Sequence, residues 1–188
     1  MSLIHPVIDP STDHRAAAAD ASSSERADLL ETLGAHRAFL RQTVEGVSDA
    51  DAARRTTASE LTLGGIIKHV TQTEAQWAAF IQQGPSAFPR WDDPTAFQHR
   101  LDHFTMMVGD TVDSVLAAYA QVATRTDALL VSLPSLDVRR PLPAAPWFPE
   151  GVTRSARRVF LHIVAETAQH AGHADIVREA LDGTRTMG

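Results

Sequence analysis

Residues 157–183, RRVFLHIVAETAQHAGHADIVREALDG, constrain this chain more than any other stretch. Thr153 or Ser155 can begin a helix here, and Asp182-Gly183 ends it. Within it lie His162, Glu166, His170 and His173. At about 100° per residue they sit at roughly 0°, 40°, 80° and 20° on a helical wheel. One narrow stripe, where apolar residues would be expected to meet a core, therefore carries four side chains able to bind a metal ion.

The rest of the composition limits what such a stripe can do. The chain has 188 residues and no cysteine, so any metal must be held by His, Asp or Glu, and any sulfur nucleophile must come from outside the protein. Hydrophobic residues make up 44% of the chain and aromatics only 6%, which favours helices over a β-sandwich. A net charge of −6 with scattered arginines argues against nucleic acid. No apolar run approaches the roughly 20 residues that span a bilayer, and the N-terminus has no signal-peptide core. A cytoplasmic protein that binds no membrane is expected.

Residues 1–23 are rich in Ala, Ser and Asp and read as a flexible arm, with the folded domain occupying 24–188. Ser22, Ser23 or Ser24 can cap a first helix carrying Leu29, Leu30, Leu33, Ala35, Phe39, Leu40 and Val44 up to Gly46. His36 in it reads as a helix-surface histidine. A short turn follows at SDADAARR. Thr62 caps a second helix, LTLGGIIKHVTQTEAQWAAFIQQG, with Ile66, Ile67, Val70, Trp77, Phe80 and Ile81 on its apolar face and His69 beside it. Gly64-Gly65 weakens its first turn but permits close backbone approach. Pro85, Pro89 and Trp91 mark a loop, and Pro94 and Phe97 open a segment that either joins the next helix or forms its own turn. His99 and His103 are four apart there, spaced as a metal pair or as a solvated face. A third long helix spans about Asp110 to Leu133, and a proline-rich loop with an extended piece at VRRPL leads to the last helix. Four long helices with long connections make an all-α four-helix bundle.

Glu166 and His170, one turn apart, can bridge a divalent ion if another helix supplies a third group, and His69 is the best placed donor. The same residues also fit a surface i,i+4 pair and a hydrogen-bonded core histidine. The Glu-x-x-x-His spacing is one residue too long for a di-iron bundle.

GGIIKHV in the second helix and HIVAETAQHAGHADIVREALDG in the fourth resemble the DinB-like superfamily, whose fold is the DinB/YfiT-like bundle. The likeness is to its actinobacterial single-domain branch and to the N-terminal domain of mycothiol-dependent maleylpyruvate isomerase, over residues 25–183. It implies His69, Glu166 and His170 as metal ligands, with Glu166 matching the branch that replaces a histidine. His162 and His173 fall outside that set, as groups that orient a ligand or as helix packing. Glu74, Trp77, Trp147 and Arg158 are candidates for the pocket wall or for packing and surface pairs.

The isomerase relatives carry a second domain after the bundle, which this sequence, ending at Gly188, does not. The function expected from the resemblance is therefore a metal-dependent transferase. Zinc, or else nickel, would hold mycothiol or another small thiol as thiolate for attack on a small electrophile. A zinc-dependent hydrolase using bound water and a non-catalytic, stress-responsive metal-binding bundle are the alternatives, and a homodimer is compatible with the fold.

Overall fold

Helix α1, Pro10–Gln42, leads the architecture seen in a computed structural model, which describes residues 10–90, 93, 98 and 101–186, with side chains from residue 23 onward. The helix starts upstream of the expected serine cap, so Ser22, Ser23 and Ser24 lie inside it. These serines are tolerated in a helix because propensity is a weak prior that longer context overrides. The one-turn helix α2, Asp49–Ala52, is capped by Ser48, whose side chain accepts from the Asp51 amide. Helix α3 spans Leu63–Gln83, α4 spans Val112–Ser132 and α5 spans Ala156–Asp182. A 3-10 turn at Gly84–Ala87 ends α3. The segment before α4 does not join it, because Thr111 stops the chain with a capping box shared with Ser114. Residues Trp91, Pro94, Phe97 and His99 lie outside the described residues, and with His99 goes the His99–His103 pair.

Four main helices, α1, α3, α4 and α5, pack against one another as the expected bundle. The extended piece at VRRPL is strand β1, Arg139–Pro141, and it finds an antiparallel partner in β2, Thr153–Ser155. This small hairpin sets the start of α5. The amides of Ala156 and Arg157 donate to the carbonyls of Val138 and Leu136 at 2.8 and 2.9 Å. The Ser155 hydroxyl accepts from the Arg158 amide at 3.2 Å. Three amides left without partners by the helix geometry are thus satisfied. At the other end Gly183 adopts a left-handed φ of 80°, which closes the helix without the steric cost a side chain would bring.

The core divides into two apolar clusters. One gathers Leu40, Val44, Leu63, Ile66, Ile67, Val70, Val115, Tyr119 and Val177. The other gathers Leu29, Leu33, Trp77, Phe80, Leu130, Phe160 and Ile163. Full burial of each large side chain is worth about 1.5–3 kcal/mol. Between the clusters sits a polar layer. The buried Arg37 of α1 makes two hydrogen bonds to the buried Glu74 of α3, at 2.6 and 3.2 Å, and one to Asp127 of α4 at 2.8 Å. Glu74 therefore belongs to the interior ion pair and not to a pocket wall. A second buried arginine, Arg178, donates to the carbonyls of Thr43 and Glu45, both at 2.9 Å, and pairs with Asp182. It ties the end of α1 to the end of α5.

Candidate metal centre

The four-residue stripe on α5 does not face the centre of the bundle. The buried residues of α5 are Ala156, Val159, Phe160, Ile163, Thr167, Ala171, Ala174, Val177 and Arg178. On the wheel this apolar stripe is centred roughly 80° from the histidines. His162, Glu166 and His170 accordingly stand at the border of core and solvent, with side chains 22%, 28% and 12% exposed. They are anchored by a rigid helix yet reachable from outside.

Three groups converge there. His69 of α3 and Glu166 and His170 of α5 each offer one ligand atom, all lying within 4.8 Å of one another. Bonds of about 2.0–2.1 Å to a tetrahedral ion would place donors roughly 3.4 Å apart, a gap that side-chain rotation can close. The donor set of two imidazoles and a carboxylate suits zinc and its neighbours among the divalent transition metals. Burial, reinforced by the nearby His173, pushes His170 down to about 4, so its ring is neutral at pH 7 and keeps a lone pair for a cation. The residues present fit a divalent ion.

The two outer histidines flank this group. Nε2 of His162 lies 3.7 Å from Oε1 of Glu166, while Nε2 of His170 lies 3.7 Å from Oε2. His162 is held below the usual imidazole range, chiefly by burial, with Glu166 opposing and Arg154 and Arg158 adding to the effect. His173 approaches the other side of His170, the two Nδ1 atoms being 3.5 Å apart. The His170 ring thus presents Nε2 to the carboxylate and Nδ1 to His173.

His69 is fixed from three directions. Its ring stacks on Phe104 at 3.8 Å between centroids, meets His170 edge-on at 4.7 Å, and has the Thr73 hydroxyl 3.4 Å from Nε2. Phe104 can come this close because of Gly64-Gly65. A Cβ on Gly65 would stand 1.9 Å from the Phe104 carbonyl oxygen, and one on Gly64 would stand 2.1 Å from the Met106 sulfur. The glycine pair was legible in the sequence as a point of close approach, whereas its partner was not.

Trp77 forms the neighbouring wall, edge-on to His162 at 4.7 Å. Arg158 is exposed at the same end of α5, and Trp147, 63% exposed, makes its ring contact with Phe148 and not with the histidine group. Arg154, which sequence reasoning passed over, lies 4.9 Å over Trp77. Its only sequence signal was its place just before the last helix. No helix among the described residues is long and apolar enough to cross a membrane. A comparison with curated proteins finds no match. The family model described as Mycothiol-S-transferase matches residues 28–183.

Proposed function

Because the chain belongs to the mycothiol S-transferase family, enzymes that conjugate mycothiol to electrophiles, we propose that His69, Glu166 and His170 hold one zinc ion at which the thiol is activated. The observation that supports this is the convergence of those three groups from two separate helices to within 4.8 Å. A divalent ion held there supplies the positive charge that lowers the pKa of a thiol toward neutrality.

The chain's own residues set the stage for that step. Three protein groups leave a side open for mycothiol, as in catalytic and unlike structural zinc sites. His170 arrives neutral and therefore needs no proton removed before it binds a cation. His162 and His173 hold the outer edges of Glu166 and His170, which fixes how the two present themselves. Phe104 covers the face of His69 and Trp77 the edge of His162, which lowers the polarity on those two flanks of the group and strengthens its electrostatics there. Since the protein has no cysteine, the attacking sulfur is that of mycothiol. The hydrolase and the non-catalytic bundle lose their standing once membership of a transferase family is in hand.

Cobalt substitution tests the proposal. Protein loaded with Co²⁺ should develop a sulfur-to-cobalt charge-transfer band in the near-ultraviolet when mycothiol is added, and His170→Ala should not. Elemental analysis of His69→Ala should find the stoichiometric metal gone while helix content is retained. Full metal content in His69→Ala, or cobalt protein silent toward saturating thiol, would overturn it.

A further inference from the structure

The start of α5 is crowded with arginines, and most of them are spoken for. Arg139 donates to Thr153, and Arg140 donates to the carbonyls of Ile81 and Gln82, both at 3.1 Å. Arg157 pairs with Glu25 and Asp137. Arg154 and Arg158 differ. Among the described residues no carboxylate pairs with either, and the buried Nη1 atom of Arg154 has no hydrogen-bond partner. The helix amides at this end cannot be what attracts an anion, because Ala156, Arg157 and Arg158 already donate theirs. The uncompensated positive charge is carried by side chains.

Arg154 is also aimed. Its guanidinium lies over the rings of Trp77 and Phe148, at 4.9 and 5.5 Å from their centroids. Trp77 in turn touches His162, and His162 touches Glu166. Arg154 therefore stands at the far end of a short wall that leads to the metal centre. Burial and the neighbouring Arg158 both press its guanidinium below the usual range, and both arginines disfavour a proton on His162. A guanidinium stacked on aromatic faces keeps its donor edge presented for a planar acid group.

We propose that Arg154, supported by Arg158, is an electrophile-binding site that selects substrates whose reacting carbon is joined to a carboxylate through a chain of several carbons, long enough to run along the Trp77 wall. The proposal rests on the thiol-activating centre argued above and adds its substrate class. With a haloacid the balance is simple. The sulfur of mycothiol forms a bond to the carbon bearing the halogen, at the end of the chain away from the carboxylate; the carbon–halogen bond breaks, halide leaves with the bonding pair, and the thiol proton passes to solvent.

6-Bromohexanoate and its neutral analogue 6-bromohexanamide serve as probes, each rate divided by its uncatalysed rate with mycothiol. The wild type should favour 6-bromohexanoate. In Arg154→Met its kcat/KM should fall roughly 10–100-fold, the range for losing a hydrogen bond to a charged group, while 6-bromohexanamide changes less than about twofold. Arg154→Lys should recover part of the loss, and the exposed Arg158→Met should show a smaller fall of the same sign. Equal losses with both electrophiles in a folded variant would mean that Arg154 merely packs the hairpin on Trp77, and would overturn the proposal. A raised KM for mycothiol with both electrophiles would overturn it too. An independent readout needs neither turnover nor metal: propionate, and not propionamide, should shift the Arg154 Nε–H resonance in an NMR titration. If that shift appears while the cobalt protein ignores thiol, the anion site stands and the thiol-activation reading falls. If the shift is absent while the cobalt band forms, the reverse holds.

Discussion

Phe104 lies nearly flat on His69, the two ring planes 16° apart. The contact exists because Gly65 gives up its side chain to the Phe104 carbonyl. Gly65→Ala would push the 101–106 segment away, since a backbone carbonyl cannot swing aside as a flexible side chain can. The expected cost is about 1–3 kcal/mol, as for overpacking a tight interface, with weakened metal retention because His69 loses its stacking partner. Gly34→Ala in α1 is the control: a Cβ there meets nothing within 4 Å, and stability should rise by up to roughly 1 kcal/mol. Urea melts and elemental analysis of the two variants check both outcomes.

Removing one member of the Arg37–Glu74 pair should be severe. Glu74→Gln leaves the Arg37 guanidinium, 2% exposed, without a compensating buried charge, which costs about 3–5 kcal/mol. Asp127 offsets only part of this, being 41% exposed itself. The double variant Arg37→Met with Glu74→Leu should recover much of the loss, because no charge is then stranded. Chemical denaturation of the three proteins measures the coupling.

Acid should loosen the join between the ends of α1 and α5 in a defined window. Hydrogen bonds from Arg178 and then from the Thr184 amide pull the Asp182 carboxyl from 3.8 to about 2. A carboxylate held low when folded lends stability that is complete above its unfolded pKa and is lost as pH falls through the folded one. The loss should therefore run from about pH 4 down to about pH 2. Asp182→Asn should be less stable than wild type at pH 6 and should show a shallower decline between pH 4 and 2. Parallel slopes would count against this assignment.

His162 and His173 border the three groups proposed to hold the metal. His173→Ala frees the outer nitrogen of His170, and His162→Ala removes the group 3.7 Å from Glu166. Each should weaken metal affinity roughly 10–100-fold, the usual penalty for losing a partner of a ligand. Neither should abolish stoichiometric binding when metal is in excess, as His69→Ala is expected to do. Competition with a chelator measures the difference.

Helices α3 and α5, their caps and the one-turn spacing of Glu166 and His170 could be read from the chain because each rests on local signals, whereas His69 is tied to that pair by the family resemblance. Thr62 and Gly183 act within one turn of themselves, and apolar spacing marks which face turns inward. Arg37 and Arg178 could not be read, since their partners lie far along the chain: Glu74 and Asp127 for one, Thr43 and Glu45 for the other. A trace was present, for Arg37 falls in step with Leu33 and Leu40 on the apolar face of α1. Phe104 escaped notice because a stacking partner brought in by a connecting segment leaves no periodicity. The place of the histidine stripe at the edge of the core also depended on packing, not on the wheel alone.

The charged layer between the two apolar clusters also dictates how the helices may slide. Were α1 to slip by one turn along α3, Arg37 would land opposite residues packed around Leu33 or Leu40, and Glu74 would face a leucine. An all-aliphatic seam would tolerate such a slip at little expense, whereas here every wrong alignment strands two opposite charges at once. The bundle thus carries an internal vernier: one setting brings the arginine of α1, the glutamate of α3 and the aspartate of α4 into line, and it fixes the height of α3, the helix that carries His69, against those two.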